Sequence, residues 1–241
     1  MSYETALNVE QALRAVSRPD QVFNYKWFFK TGPGEYGEGN EFIGVKVPDS
    51  RSVAKEFKDL QLVEIQKLLD SKVHEHRFVG LVILTNRFKK SKDAQLRGEL
   101  FNFYLQNVYA QRVNNWDLVD STAPYLGEFL INRAGTDKLL NSLAKSKSLW
   151  ERRTAVMFTS AFIREYRFDE ILRLAKMLLN DDQDLIHKAV GWMLREVGNR
   201  ESDVLRVFLQ ANVTKMPRTM LRYSIEKFSE SERKKWLTYK G

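Results

Sequence analysis

The sequence contains no cysteine and only three histidines, and these absences limit its chemistry. Without cysteine there are no disulfides and no thiolate metal sites, which fits a reducing compartment. His74, His76 and His187 are too few and too scattered for a histidine metal site, and side chains two apart do not share a helix face. We therefore expect no metal and no organic cofactor.

Long apolar runs are also absent, and no signal-like leader is visible. We therefore expect a soluble, intracellular protein. Hydrophobic residues make up 43% of the 241 residues, enough to bury a core. Lys and Arg number 39 against 31 Asp and Glu, which gives a formal charge of +8. That sign is expected of a protein with a nucleic-acid partner.

Helical periodicity runs through nearly every segment after residue 48, and no stretch alternates cleanly enough to predict a strand. The sequence predicts an all-α fold. Start signals such as Pro19-Asp20, Asp49-Ser50, Ser148, Asp182 and Ser229-Glu230 support several helices. The predicted helices are 6–16, 21–29, 50–58, 60–69, 75–89, 93–112, 125–132, 137–144, 149–164, 168–179, 184–196, 202–210, 218–228 and 230–237.

A glycine-rich segment at residues 31–40 interrupts this pattern. It holds four glycines and is predicted to be a loop. Glu35 and Glu38 would repel phosphate, and no Lys-Ser/Thr pair ends the segment, so it is a poor phosphate cradle. It is either a flexible connector or a segment that presses on a ligand or a DNA groove, and the sequence favours neither.

The segment around Trp116 and Asp120 presents an indole and a carboxylate four residues apart, one above the other on a helix face. Pro124 predicts that this helix is short or restarts at Ala123. An aromatic face and a carboxylate together suit a positively charged ligand. The alternative is that the tryptophan packs in the core and the acid interacts favourably with the helix dipole.

A repeat is visible in the cationic positions. Arg153, Lys188 and Arg222 each precede small or β-branched residues at steps of 35 and 34, and Arg77 lies 76 residues before Arg153. A period in the mid-thirties built of paired helices is typical of an α-α superhelix of HEAT-like repeats. We predict one such domain over residues 1–241, with these cations lining a concave basic groove that follows a phosphate backbone. The alternative is that they flank helices in solvent.

Trp116, Asp120, Trp192 and Arg195 fall in the central and later repeats, as does Arg153. Arg153 and Trp192 follow Trp116 at about one and two repeat steps, so these side chains could meet along one stretch of groove. Trp150, three residues before Arg153, is assigned to packing between neighbouring repeats.

These residues together resemble the AlkD-type DNA alkylation repair glycosylases, a family built from HEAT-like repeats. The resemblance covers most of the chain. It is carried by four motifs: FFKTGPGEYGEGN at 28–40 with FIGV at 42–45, WDLVD at 116–120, LWERR at 149–153 and KAVGWMLRE at 188–196.

The resemblance implies roles for single residues. Trp116 and Trp192 would flank the damaged nucleotide, Asp120 would be the catalytic carboxylate, and Arg153 would hold the phosphate beside the lesion. Some members place an N-terminal tyrosine at the site, and here the matching position is Phe28, with Tyr25 and Tyr36 as alternatives. Members without the aspartate are thought to bind DNA without excision, and this chain retains it. The predicted DNA-binding residues are Phe28, Arg77, Lys188, Arg195 and Arg222.

The resemblance implies a monofunctional glycosylase that releases positively charged N-alkylpurines such as 7-methylguanine and 3-methyladenine without flipping the base. Because the alkylated base already carries a positive charge, it leaves without a general acid, and a carboxylate near C1′ stabilises the sugar cation. We expect a monomer that binds alkylated double-stranded DNA and is cytoplasmic, associated with the nucleoid when bound. The alternatives are a non-catalytic HEAT-like protein for branched or damaged DNA and a solenoid that binds an acidic protein segment.

Overall fold

The computed structural model describes residues 4–239, and these contain fifteen α-helices, three 3-10 helices and no β-strand. The predicted all-α fold is confirmed. The 3-10 helices are Pro19–Gln21, Gly127–Leu130 and Val213–Lys215. The α-helices are α1 (Ala6–Ala15), α2 (Val22–Phe28), α3 (Val47–Glu56), α4 (Leu62–Leu69), α5 (His74–Lys90), α6 (Ala94–Tyr109), α7 (Trp116–Asp120), α8 (Ala123–Leu126), α9 (Thr136–Ala144), α10 (Leu149–Arg164), α11 (Asp169–Met177), α12 (Asp184–Arg200), α13 (Ser202–Asn212), α14 (Arg218–Ser224) and α15 (Glu230–Thr238).

Side-chain caps start two helices where the sequence predicts them, whereas α12 begins at Asp184 without a cap from Asp182. The hydroxyls of Ser148 and Ser229 accept the backbone N–H groups of Glu151 and Glu232 at 3.4 and 3.3 Å. The predicted start at Asp49-Ser50 is wrong, because α3 begins at Val47 with a proline in its first turn.

The predicted helix at 125–132 is also wrong, since this stretch divides between α8 and a 3-10 helix. Gly127 lies at the junction. A Cβ there would fall 2.4 Å from the Phe158 carbonyl oxygen of α10, so only glycine allows this close approach.

The described chain divides into two compact units, residues 4–122 and 123–239. The single repeat domain predicted from the sequence stays a prediction. In the first unit, α5 is buried along most of its length and packs against α3, α4 and α6. The N-terminal turn of α5 packs against α7, which brings the Trp116 segment to this helix end.

In the second unit, α12 packs between α10 and α14. Arg153, Lys188 and Arg222 are each the fifth residue of their helices, so the steps seen in the sequence correspond to equivalent helix positions. At Gly191 a Cβ would lie 2.6 Å from the Met220 carbonyl oxygen, and glycine therefore lets α12 and α14 approach closely. This unit contains the helical repeat that the sequence predicts.

Across residues 4–239 there is no helix with the length and apolarity needed to cross a lipid bilayer.

Candidate active site

The helix α7 is a single short turn that begins at an asparagine cap. The Asn115 side chain accepts the backbone N–H of Trp116 at 2.8 Å. Leu118 and Val119 are fully buried, whereas Trp116 and Asp120 are only partly buried. Burial of the middle of the turn therefore fixes the direction in which the indole and the carboxylate point.

Trp116 and Asp120 both line an open cavity of about 680 Å³ in the first unit. The two side chains are four residues apart on α7, so they sit one turn apart, as the spacing predicts. The rest of the wall comes mainly from α2, α3 and the start of α5, and it is largely aromatic: Tyr25, Trp27, Phe28, Phe29, Phe42, His74 and Phe78.

An aromatic stack supports the indole from behind. The rings of Phe29 and Trp116 are stacked, with centroids 5.5 Å apart and planes 19° apart. Phe29 stacks in turn on Phe42 at 5.0 Å, and Phe42 stacks on His74 at 4.8 Å. The packed rings fix the position of Trp116 through contacts from α2, the following loop and α5.

The other acid of the turn, Asp117, bonds to a buried histidine. Its Oδ2 lies 2.8 Å from Nε2 of His74, a residue that is 3% exposed. This bond ties α7 to the first turn of α5. Asp117 therefore holds the turn in place, and Asp120 is the carboxylate that the same turn presents at the cavity together with Trp116.

The structure brings two of the three candidate aromatic residues to this cavity. Phe28 is 54% exposed and meets the Trp116 indole edge to face, with centroids 5.7 Å apart. Tyr25 also lines the cavity and packs edge-on against Phe29 and Phe42. Burial, and then the nearby Glu75 carboxylate, raise the pKa of Tyr25. Tyr36 lies on the glycine-rich loop, where its hydroxyl donates a long hydrogen bond to the Phe28 carbonyl.

The glycine-rich loop is folded through hydrogen bonds to its own backbone. Glu35 accepts the N–H of Gly32 at 2.8 Å, and Glu38 accepts the N–H of Gly34 at 2.9 Å. At Gly37 a Cβ would fall 2.2 Å from the Phe29 carbonyl oxygen, so glycine is required for the loop to return to the end of α2. Both loop carboxylates are thus engaged in forming the loop.

Two charged residues of α5, Glu75 and Arg77, are 5% exposed or less. Their side chains hold the segment between the glycine-rich loop and α3 by hydrogen bonds. Oε1 of Glu75 accepts the backbone N–H groups of Ile43, Gly44 and Val45 at 3.1, 2.8 and 3.2 Å. Arg77 donates to the Asn40 side chain and to the Ser71 carbonyl. Sequence reasoning missed Glu75, because no local pattern shows which backbone amides a buried acid will meet.

The prediction that Arg77 lines an exposed groove does not match the structure. The side chain is 5% exposed, and burial lowers its pKa to about 10. We assign it to holding the residues that follow the glycine-rich loop.

Arg153 and Trp192 belong to the second unit. Arg153 is 4% exposed and donates to the Leu185 carbonyl at the start of α12, so it joins two successive repeats. Trp192 is half-buried on α12. Trp150 is 7% exposed, in keeping with its assignment to packing.

The remaining predicted cations of this unit differ in their partners. The ammonium of Lys188 lies 2.8 Å from the Asp184 carboxylate one turn earlier. Arg195 pairs with Glu226 in the turn that follows α14. Arg222 is exposed on α14. Of the three, Arg222 presents its charge most openly to solvent.

Within residues 4–239 there is no cluster of three or more His, Asp or Glu side chains that could hold a metal ion.

Fold and site together define an all-α protein with a helical repeat in its second unit and a carboxylate beside an indole in its first. The chain belongs to the family of DNA alkylation repair enzymes, whose model matches residues 9–228. Its structure is similar to that of a predicted DNA alkylation repair enzyme from Enterococcus faecalis, with a TM-score of 0.66. The two chains are 15% identical, and the match covers 89% of this chain and 97% of the other. At that identity the likeness establishes the fold alone. A search of curated proteins gave no significant match.

Proposed function

We propose that this DNA repair protein is a monofunctional glycosylase that hydrolyses the N-glycosidic bond of positively charged N-alkylpurines in duplex DNA, including 7-methylguanine and 3-methyladenine. The observation that carries the proposal is the pair formed by Trp116 and Asp120, one turn apart on α7 and both on the wall of one open cavity.

Asp120 is assigned the catalytic role. In the reaction the bond between C1′ and the base nitrogen breaks, and its electron pair goes to the base, which leaves neutral. The sugar becomes an oxocarbenium-like cation, and a nearby carboxylate stabilises it electrostatically. Water then adds to C1′ and loses a proton, which gives an abasic site and the free base.

The aromatic wall is assigned the role of selecting charge. A cationic base against the Trp116 indole would gain about 0.5–2 kcal/mol, enough to favour a charged lesion over a neutral base. Phe28 meets the edge of the same indole and extends this surface. The cavity is open to solvent, which suits a lesion that stays in the helix stack, and excision without base flipping is part of the proposal.

The proposal also gives Trp192 a place beside the damaged nucleotide and gives Arg153, Lys188, Arg195 and Arg222 contacts to phosphates. The formal charge of +8 supports a polyanionic partner. For Arg153 the proposal requires that the guanidinium reach phosphate while it also donates to the Leu185 carbonyl.

A specific observation also favours a second candidate function, a non-catalytic protein that binds branched or damaged DNA. Arg153, which the glycosylase requires beside the lesion, is 4% exposed and donates to the Leu185 carbonyl, whereas Arg222, assigned only to DNA binding, is exposed.

Incubation of the protein with duplex DNA containing 7-methylguanine separates the two functions. The glycosylase releases the free base and leaves a strand that breaks only after heating in alkali, because no lysine is assigned to lyase chemistry. Salt-sensitive binding without release would support the non-catalytic protein. Strand cleavage without alkali would contradict the monofunctional mechanism.

A further inference from the structure

The helix α2 has two aromatic faces with different environments. Tyr25 and Phe29, four residues apart, pack inward against Phe42. Phe23 and Trp27, also four residues apart, lie on another face of the helix and are 78% and 68% exposed. Large side chains this exposed on neighbouring turns form an apolar surface that the described fold does not cover.

Lysines accompany this exposed face. Lys26 and Lys30 are both exposed, and the ammonium of Lys30 lies 5.1 Å from the Trp27 ring centroid. The nearest acids in sequence are engaged locally: Asp20 accepts the Gln21 side-chain amide at 2.7 Å, and Glu35 and Glu38 accept backbone hydrogen bonds within their own loop. Aromatic rings interleaved with ammonium groups match an unstacked nucleobase and its phosphates, because any base can stack on a ring while the cations meet the backbone.

The exposed face is continuous with the candidate active site. Trp27 is part of the wall of the cavity that also contains Trp116 and Asp120, and Phe23 lies one turn of α2 before it. Nucleotides next to a lesion bound at the cavity would therefore lie close to Phe23 and Trp27.

We propose that Phe23 and Trp27 form a stacking platform for an unpaired nucleobase of the bound DNA, with Lys26 and Lys30 holding the adjoining phosphates. The platform rests on the proposed DNA binding and adds to it a preference for DNA with an unpaired nucleotide. A base that stays paired and stacked in the duplex does not present its face to these rings.

The test uses two lesion-free duplexes that differ only in one bulged 2-aminopurine nucleotide, whose fluorescence falls when it stacks on an aromatic ring. Stacking of one base on aromatic side chains corresponds to roughly a 5- to 150-fold gain in affinity, so we expect wild type to bind the bulged duplex more tightly than the paired one by a factor in that range and to quench the probe. Phe23→Ala/Trp27→Ala should lose both effects. Tyr166→Ala, which removes another exposed aromatic residue that is 62% exposed in the second unit, is the matched control and should keep them.

Equal binding of the two duplexes by wild type, or an unchanged preference in the double variant, would overturn the platform. Two other results would also overturn it, provided that the double variant abolishes them. Concentration-dependent self-association in ultracentrifugation would show that the occupant is a second copy of the chain. Binding to phosphatidylglycerol vesicles would show that the occupant is a lipid surface. Stacking on the platform can be tested separately from base release. Asp120→Asn should quench the probe as wild type does, and a wild type that quenches but releases no base would contradict the glycosylase alone.

Discussion

The ring of Phe29 lies stacked against the indole of Trp116, with 19° between their planes. One face of the indole is thus covered by the fold, and a ligand in the cavity must approach from the remaining face. Because Phe29 itself rests on Phe42, the position of the indole depends on three elements at once: α2, the following loop and α7.

Replacing Trp116 tests whether the indole selects charged bases. Trp116→Ala should slow release of 7-methylguanine by roughly 2- to 30-fold, the range that corresponds to loss of one cation–π contact. Trp116→Phe keeps a ring on Phe29 and should fall between this variant and wild type. Single-turnover rates measure both. Equal rates for all three proteins would show that the indole has no part in excision.

The bond between Asp117 and His74 should stabilise the turn that presents Asp120. Asp117→Ala removes the partner of a buried imidazole and should lower the free energy of unfolding by about 1–3 kcal/mol. Asp117→Asn keeps a side-chain oxygen at that place and should cost less. Urea denaturation gives both values. A larger loss in the asparagine variant than in the alanine variant would contradict this role.

Glu75 should be among the least replaceable acids in the first unit. Glu75→Ala leaves three backbone N–H groups without their acceptor, and we expect a loss of about 3 kcal/mol or more in unfolding free energy. Glu75→Gln is the matched control, because its remaining oxygen can occupy the place of Oε1, the atom that accepts all three bonds. Wild-type stability in the alanine variant would show that water replaces the carboxylate.

Buried His76 should make stability fall as the solution becomes acidic. Burial, and then the charges of Arg14 and Arg77, lower its pKa from 6.5 to about 4. Between those values the unfolded chain binds a proton that the folded protein excludes, so this contribution to stability is complete above pH 6.5 and decreases as pH falls towards 4.

Unfolding free energies measured from pH 7 to 4 in wild type and His76→Gln check this dependence, with His187→Gln as a control. We expect a shallower decrease for His76→Gln than for the other two proteins. Parallel curves for all three would show that another group causes the acid sensitivity.

Sequence reasoning predicted the helices well because their signals are local. Apolar periodicity and the capping hydroxyl of Ser148 fix α10 at the predicted bounds, and the break after Trp116 follows from Pro124. The errors lie where tertiary contacts decide. The close approach of Gly127 to the Phe158 carbonyl oxygen divides a predicted helix. Because Phe158 is distant from Gly127 in sequence, no local pattern predicts this contact.

The same distinction applies to the site. Helical spacing predicted that Trp116 and Asp120 share a face, and both line the cavity. It could not predict the stack through Phe29 and Phe42, which joins side chains from separate segments. It also misjudged Arg77, because a cation at a repeat position looks the same in sequence whether it meets solvent or a buried asparagine.

Replacement of Asp120 by asparagine tests the central claim most directly. The substitution preserves size and removes the negative charge that would face the sugar cation, so release of 7-methylguanine from duplex DNA should fall by about 100-fold or more under single-turnover conditions. Affinity for the same DNA and the melting temperature should stay close to wild type. Release by Asp120→Asn at the wild-type rate would contradict the account.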